Sequence, residues 1–277
     1  MEVRYATDPK GFARMSPSEI RSSFLIDTLF TPDTVPMIYS HQDRAIVGSA
    51  VPAHGPLPLP ASGKEMAAVT FTERREIGVI NIGGEGGITV GGKQYPMGRN
   101  DCLYVGRGAG EVVFGPGQRE DPPRYYFVSF PAHVACPTTH AVLSEAEATP
   151  LGTPGGANRR TIYKYIHPKG IRSCQLVMGM TKLEEGSVWN TMPPHTHQRR
   201  SEIYLYFNLP PAAAVFHFMG EPGATRHVVI HNGQAVLSPS WSIHAGVATE
   251  AYTFIWAMGG ENQAFDDMDA VAVEHLA

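Results

Sequence analysis

Cysteine is scarce: Cys102, Cys136 and Cys174 are the only three in 277 residues, and no two form a Cys-x-x-Cys pair. Isolated thiols in odd number exclude a disulfide-stapled scaffold and a cysteine-built zinc site, and fit reduced, mostly buried side chains in the cytoplasm. Charge is sparse as well. Charged residues make up 17% of the chain, the formal net charge is −4, and no Lys/Arg-rich run occurs, which argues against nucleic acid or an anionic membrane surface as partner. Nowhere does the sequence reach the roughly 18–20 consecutive apolar residues of a membrane span. The first eight residues carry acids early and lack an apolar signal core, so export is not expected.

What the chain has in quantity is glycine (29) and proline (23), with 43% hydrophobic residues, a balance that favours a turn-rich all-β protein. Ser16-Pro17-Ser18-Glu19 predicts a short helix as the first element, with an N-cap, proline at the first helical position and glutamate three residues after the cap. Short β-branched runs follow, among them Ile46-Val47-Gly48, Ala68 to Phe71 and Ile77 to Ile82. Gly91-Gly92 reads as a two-residue hairpin turn between Val90 and Lys93. From about Pro131 the periodicity fades, with a short helical piece expected at Leu143 to Ala148. The expected organisation is therefore a domain over residues 1–135, a connector over 136–158 and a second domain over 159–277.

The chemistry concentrates near the C-terminal end. In Pro194-His195-Thr196-His197-Gln198-Arg199-Arg200-Ser201-Glu202, two histidines at i and i+2 place both imidazoles on one face of a strand, and Glu202 can add an oxygen ligand. Twelve histidines make one His-x-His pair unremarkable by itself. The run from Gly233 through Pro239 and Trp241 to His244 makes it less so. It describes a strand, a tight turn and a return strand that aims a third imidazole at a fixed point. Three imidazoles and one carboxylate leave coordination positions open, as a catalytic rather than a structural site needs.

The two halves read as diverged copies. Arg74-Arg75-Glu76-Ile77 parallels Arg199-Arg200-Ser201-Glu202-Ile203, and Gly98, Tyr104, Gly106 and Ala109 follow the spacing of Gly233, Pro239, Trp241 and His244. On this alignment Ala109 takes the ligand position of the first copy, no His-x-His precedes Glu76, and that copy holds no metal. Packing and assembly are its expected roles.

The paired motifs resemble those of the cupin β-barrels, with Trp241 where the usual pattern has glycine, and imply a bicupin of two tandem jelly-roll barrels. Longer strings narrow the resemblance: Asn158 to Tyr165, Trp189 to His197, Pro239 to His244, Gly260 to Asp269 and, in the first half, Tyr39-Ser40-His41 are similar to those of the 5-keto-4-deoxyuronate isomerase family. That resemblance covers nearly the whole chain. It implies an enzyme converting 4-deoxy-L-threo-5-hexosulose uronate to 3-deoxy-D-glycero-2,5-hexodiulosonate in pectin breakdown. It further implies one Zn2+ per subunit on His195, His197, Glu202 and His244, and a homohexamer.

An aldose to ketose shift develops negative charge on two neighbouring oxygens, which a divalent ion with open positions stabilises. The sequence does not choose the metal, and iron on the same ligands would suit a dioxygenase. The related 5-deoxyglucuronate isomerase of inositol catabolism and a non-catalytic sugar-binding bicupin compete with this reading. If the strand continues through Glu202, Arg200 and Tyr204 share its face and can contact substrate, with Arg200 a candidate for the substrate carboxylate. Trp241 is a candidate pocket wall. Glu261 is the acid to test for acid/base work.

Overall fold

The computed structural model describes residues 1–277. The chain is mostly β, with 41% strand and 10% helix. It forms two compact units. One comprises Met1–Arg4, Thr28–Ala146 and Tyr165–Val177, and the other Tyr5–Asp27, Glu147–Lys164 and Met178–Ala277. The units interleave along the chain, so the expected boundaries of 1–135, 136–158 and 159–277 do not describe them. Residues 136–158 are divided between the units and carry strands Thr139–Ala141 and Glu147–Leu151, with only a single 3-10 turn at Leu143–Glu145 where a helical piece is expected. Edge pairing wins over local composition here: Glu147–Leu151 pairs antiparallel with Arg160–Ile166.

Each unit is a β-sandwich of a seven-stranded and a four-stranded sheet. In the first, the large sheet runs Glu2–Arg4, Met37–Ser40, Ile46–Ala50, Tyr125–Pro131, Arg75–Asn81, Cys102–Val105, Thr139–Ala141. In the second, the order is Glu147–Leu151, Arg160–Ile166, Val177–Leu183, Thr253–Gly260, Arg200–Phe207, Gln234–Ser238, Leu25–Ile26. The Gly91-Gly92 turn forms as expected: Val90 pairs with Lys93 and both glycines have positive φ, 54° and 84°, which an L side chain resists.

The Ser16 capping box is present at the start of helix Pro17–Phe24. That helix is not the first element, however. Strand Glu2–Arg4 and helix Pro9–Arg14, capped by Asp8, precede it.

Matching the ladders resolves how the halves correspond. Arg75 opens its strand opposite Pro131, the last residue of its partner, just as Arg200 opens its strand opposite Gly260. Two residues on, Ile77 lies between Val105 and Ser129, and Glu202 between Ser238 and Met258. Ile77, not Glu76, therefore holds the position of Glu202. Because side chains alternate along a strand, that single residue of register turns Glu76 to the opposite face. Ile77 and Val79 pack in the apolar core of the first unit with Phe71, Phe114 and Phe127, and Ala109 rests partly buried against the same cluster.

Candidate metal centre

Local geometry brings the four expected ligands together in the second unit. His195 sits on the two-residue strand His195–Thr196, paired with Asp269–Ala270. A turn closed by Arg200 N–H donating to His197 O at 3.2 Å then leads into strand Arg200–Phe207, where the central Glu202 is 5% exposed. His244 follows a tight turn in which Ser242 N–H donates to Pro239 O at 2.9 Å. Gly220 anchors that turn, its N–H donating to Ser242 Oγ and its carbonyl accepting from Ile243 N–H, both at 2.9 Å.

One ligand atom from each of His195, His197, Glu202 and His244 lies within 4.8 Å of the others. His244 Nε2 is 2.9 Å from His195 Nε2 and 3.0 Å from Glu202 Oε2, and His197 Nε2 is 3.1 Å from the same oxygen. Such edges of about 3 Å suit neighbouring ligands around one ion at roughly 2.0–2.2 Å. His197 Nδ1 donates to Arg200 O at 2.8 Å, which turns Nε2 toward the centre. Burial, reinforced by His244, lowers the His195 pKa to about 3 and keeps that imidazole neutral. Burial alone raises the Glu202 pKa, but His244 and His197 outweigh it and hold the carboxylate ionised. Burial lowers the His197 pKa, but Glu202 outweighs burial and raises it, so that imidazole would give up its proton to an ion; with a neutral His195 and an ionised Glu202 beside it, the residues fit a divalent cation.

A cavity of about 290 Å³ opens over the cluster. Phe254, Trp256, Met258, Phe265 and Met268 supply apolar wall, and Arg160, Thr181, Thr191, Arg200 and Tyr204 supply polar groups. Burial, followed by the charge of Glu202, pushes the Tyr204 phenol far up, so it stays an O–H donor.

Arg200, 1% exposed, is committed elsewhere. Its Nη1 donates to Asn262 Oδ1 at 3.0 Å and to Ala264 O, and its Nη2 to Asp267 O at 3.1 Å. It therefore holds the segment carrying Phe265 against the cavity with both terminal nitrogens engaged, and only its buried Nε is without a partner. Arg160, which sequence reasoning missed, is less engaged, with one terminal nitrogen bonded against both in Arg200. Its Nη1 donates to Asn158 O at 2.8 Å, its buried Nε has no partner, and no acid pairs with it. Nothing in the string Asn158-Arg159-Arg160 separates this inward arginine from Arg159, which pairs with Glu184 at 2.8 Å.

Two further expectations are corrected. Trp241 does not line the cavity: its Nε1 donates to Thr7 O at 3.1 Å and its ring meets Phe12 with centroids 5.4 Å apart. It takes the place of the turn glycine because a helix is there to receive the ring. Glu261 is exposed and absent from the cavity wall, since the strand ends at Gly260 and the chain turns outward.

Comparison with known proteins decides the family, since residues 27–276 match the KduI/IolB family. The chain belongs to that family. It is 53% identical over 276 residues, the full length of both chains, to the 4-deoxy-L-threo-5-hexosulose-uronate ketol-isomerase of Opitutus terrae, and 50% identical over 277 residues to the protein of that name from Escherichia coli O127:H6. An IolB-like protein of Salmonella typhimurium LT2 superposes with a TM-score of 0.71 at 13% identity, covering 90% of this chain and 96% of its own. Oxalate decarboxylase, at a TM-score of 0.54, 12% identity and coverage of 79% and 69%, shares the cupin-like fold.

Proposed function

We propose that the protein is an intramolecular oxidoreductase, an aldose–ketose isomerase that converts 4-deoxy-L-threo-5-hexosulose uronate to 3-deoxy-D-glycero-2,5-hexodiulosonate. The observation that carries this reading is full-length identity of about half the residues to ketol-isomerases of that name. The His195, His197, Glu202 and His244 cluster beneath a cavity of sugar-acid size supports it. These four residues would hold one divalent ion per chain. Zn2+ is the ion proposed, because the isomerisation moves no net electrons and zinc adds no redox chemistry.

When bound, such an ion acts as a Lewis acid toward neighbouring substrate oxygens. The protein's own groups then divide the remaining work. Arg160 presents a guanidinium with no acidic partner and an unbonded Nε to the carboxylate. Tyr204 donates its hydroxyl toward the reacting oxygens, and the aromatic wall of Phe254, Trp256 and Phe265 excludes water. Glu202 is the only carboxylate on the cavity wall, so no separate acidic base stands opposite the metal ligands.

On this reading the enzyme acts in the breakdown of unsaturated uronates from pectin. We propose a cytoplasmic homohexamer, and the chain has no helix long and apolar enough to cross a membrane. Assay of the purified protein on 4-deoxy-L-threo-5-hexosulose uronate and 5-deoxyglucuronate, with metal analysis and an oxygen electrode on the same sample, tests the reading. Preferred turnover of the first acid without oxygen uptake is expected. Preference for the second acid, or oxygen consumption with iron bound, would overturn it.

A further inference from the structure

The first unit lacks the ligand set but is not closed at its mouth. A cavity of about 180 Å³ lies there, lined by Glu65, Met66, Ala68, Phe71, Arg74, Arg75 and Pro131. Arg75 and Pro131 form the first rung of the central ladder, the rung that Arg200 and Gly260 form in the second unit, so this cavity is the first barrel's counterpart of the proposed active site.

Arg75 is 6% exposed and has no acidic partner. Its Nε donates to Ser129 Oγ at 3.0 Å, and its Nη2 to Arg44 O at 2.6 Å and Ser129 O at 2.8 Å, which leaves Nη1 without a partner. Burial lowers its pKa to about 10, so the group keeps its charge at neutral pH. Apart from the charge of neighbouring Glu76, this buried cation has only neutral acceptors, and an anion entering the cavity adds to its compensation. The opposite wall is tied down: Arg74 Nη1 donates to Met66 O at 3.1 Å and Ala67 O at 2.9 Å, and Glu65 N–H to Ser62 Oγ at 3.2 Å.

The lining selects among anions. Met66, Ala68, Phe71 and Pro131 offer carbon rather than donors, which disfavours a fully hydrated inorganic ion. Glu65, held as a carboxylate chiefly by Ser62, repels a second negative charge and can accept a hydroxyl. The volume limits the ligand to a small molecule. We infer that the cavity over Arg75 binds a short monocarboxylate bearing a hydroxyl or keto group, its carboxylate on Arg75 and its carbon chain against Phe71 and Pro131.

Calorimetric titration of the metal-loaded protein with L-lactate, pyruvate and inorganic phosphate tests this site. Saturable binding of lactate or pyruvate at about one per chain is expected, preserved in His195→Ala and stronger than that of phosphate. Affinity should fall at least about tenfold in Arg75→Met, which loses the charge-assisted bond, and in Ala68→Trp, which fills the space. Ala68→Trp, at the partly exposed wall, should keep wild-type turnover and melting temperature, so its result stands even if Arg75→Met folds poorly. Absence of saturable binding, binding unchanged in Ala68→Trp, binding abolished by His195→Ala, or tighter binding of phosphate would each overturn the inference.

Discussion

The two barrels share a strand order and a buried arginine on the first rung, yet one converges four ligands and the other is filled with carbon. In the second, Glu202 and Tyr204 follow Arg200 along the inner face; in the first, Ile77 and Val79 follow Arg75. Counting back from the same arginines, His195 and His197 correspond to Thr70 and Thr72, and Thr72 spends its hydroxyl on Gly110 O at 2.7 Å. Phe71, Phe114 and Phe127 occupy the space, with ring centroids 6.2 and 5.7 Å from Phe127. One scaffold thus accepts either a polar constellation or an apolar core, and pleat parity at a few positions decides which.

Glu76 makes the contrast sharper. It is a buried carboxylate, like Glu202, but on the other face of its strand, where it accepts N–H bonds from Cys174, Gln175 and Leu176 at 2.6, 2.8 and 2.8 Å and the Tyr104 hydroxyl at 2.7 Å. Backbone amides satisfy the charge that imidazoles face in the other barrel. Its role is to fix the 174–176 segment.

The largest effect is expected from removing a ligand in the second barrel. His244→Ala and Glu202→Gln should lose most of the metal and more than about a hundredfold in turnover, beyond the 10–100-fold typical of losing an outer partner. Wild-type metal content and activity in either variant would break the comparison.

The converse change comes next. Ile77→Glu puts the ligand carboxylate into an apolar core without imidazoles, and should cost about 3–5 kcal/mol in denaturant unfolding while recruiting no metal. A neutral effect on stability would show that the first barrel's interior is more polar than its packing indicates.

Replacing Glu76 by Gln should cost about 2 kcal/mol, by weakening bonds from buried amides, with metal content unchanged. Arg160→Met should raise KM for the uronate about 10–100-fold with little loss of metal, whereas Arg200→Met should disturb the 262–267 segment and lower melting temperature as well. The smallest effect is expected at Trp241→Phe, which keeps the ring against Phe12 and loses one hydrogen bond: about 1 kcal/mol of stability and no change in turnover. A change in KM there would return Trp241 to the substrate site.

Much of this was legible in the residues. His-x-His with Glu202 and a distant His244 announce a shared centre because strand alternation puts them on one face, and Gly91-Gly92 and the Ser16 box are local signals that tertiary packing did not override. Register was not legible. Arg74-Arg75-Glu76-Ile77 looks as if its glutamate should match Glu202, and only the ladder partners show that Ile77 does. Arg160 and Arg200 could not be ranked either, since what separates them is which nitrogens the fold has already engaged. The domain boundaries failed for a related reason, because the edge pairing of Leu25–Ile26 with Gln234–Ser238 is a long-range contact that composition does not announce.

The central claim is that only the second barrel holds a metal ion. Elemental analysis of the purified protein, quantified per chain for the wild type and His244→Ala, tests it most directly. About one equivalent of a divalent metal, zinc foremost, is expected in the wild type and little in the variant. Two equivalents in the wild type, or undiminished metal in His244→Ala, would contradict it.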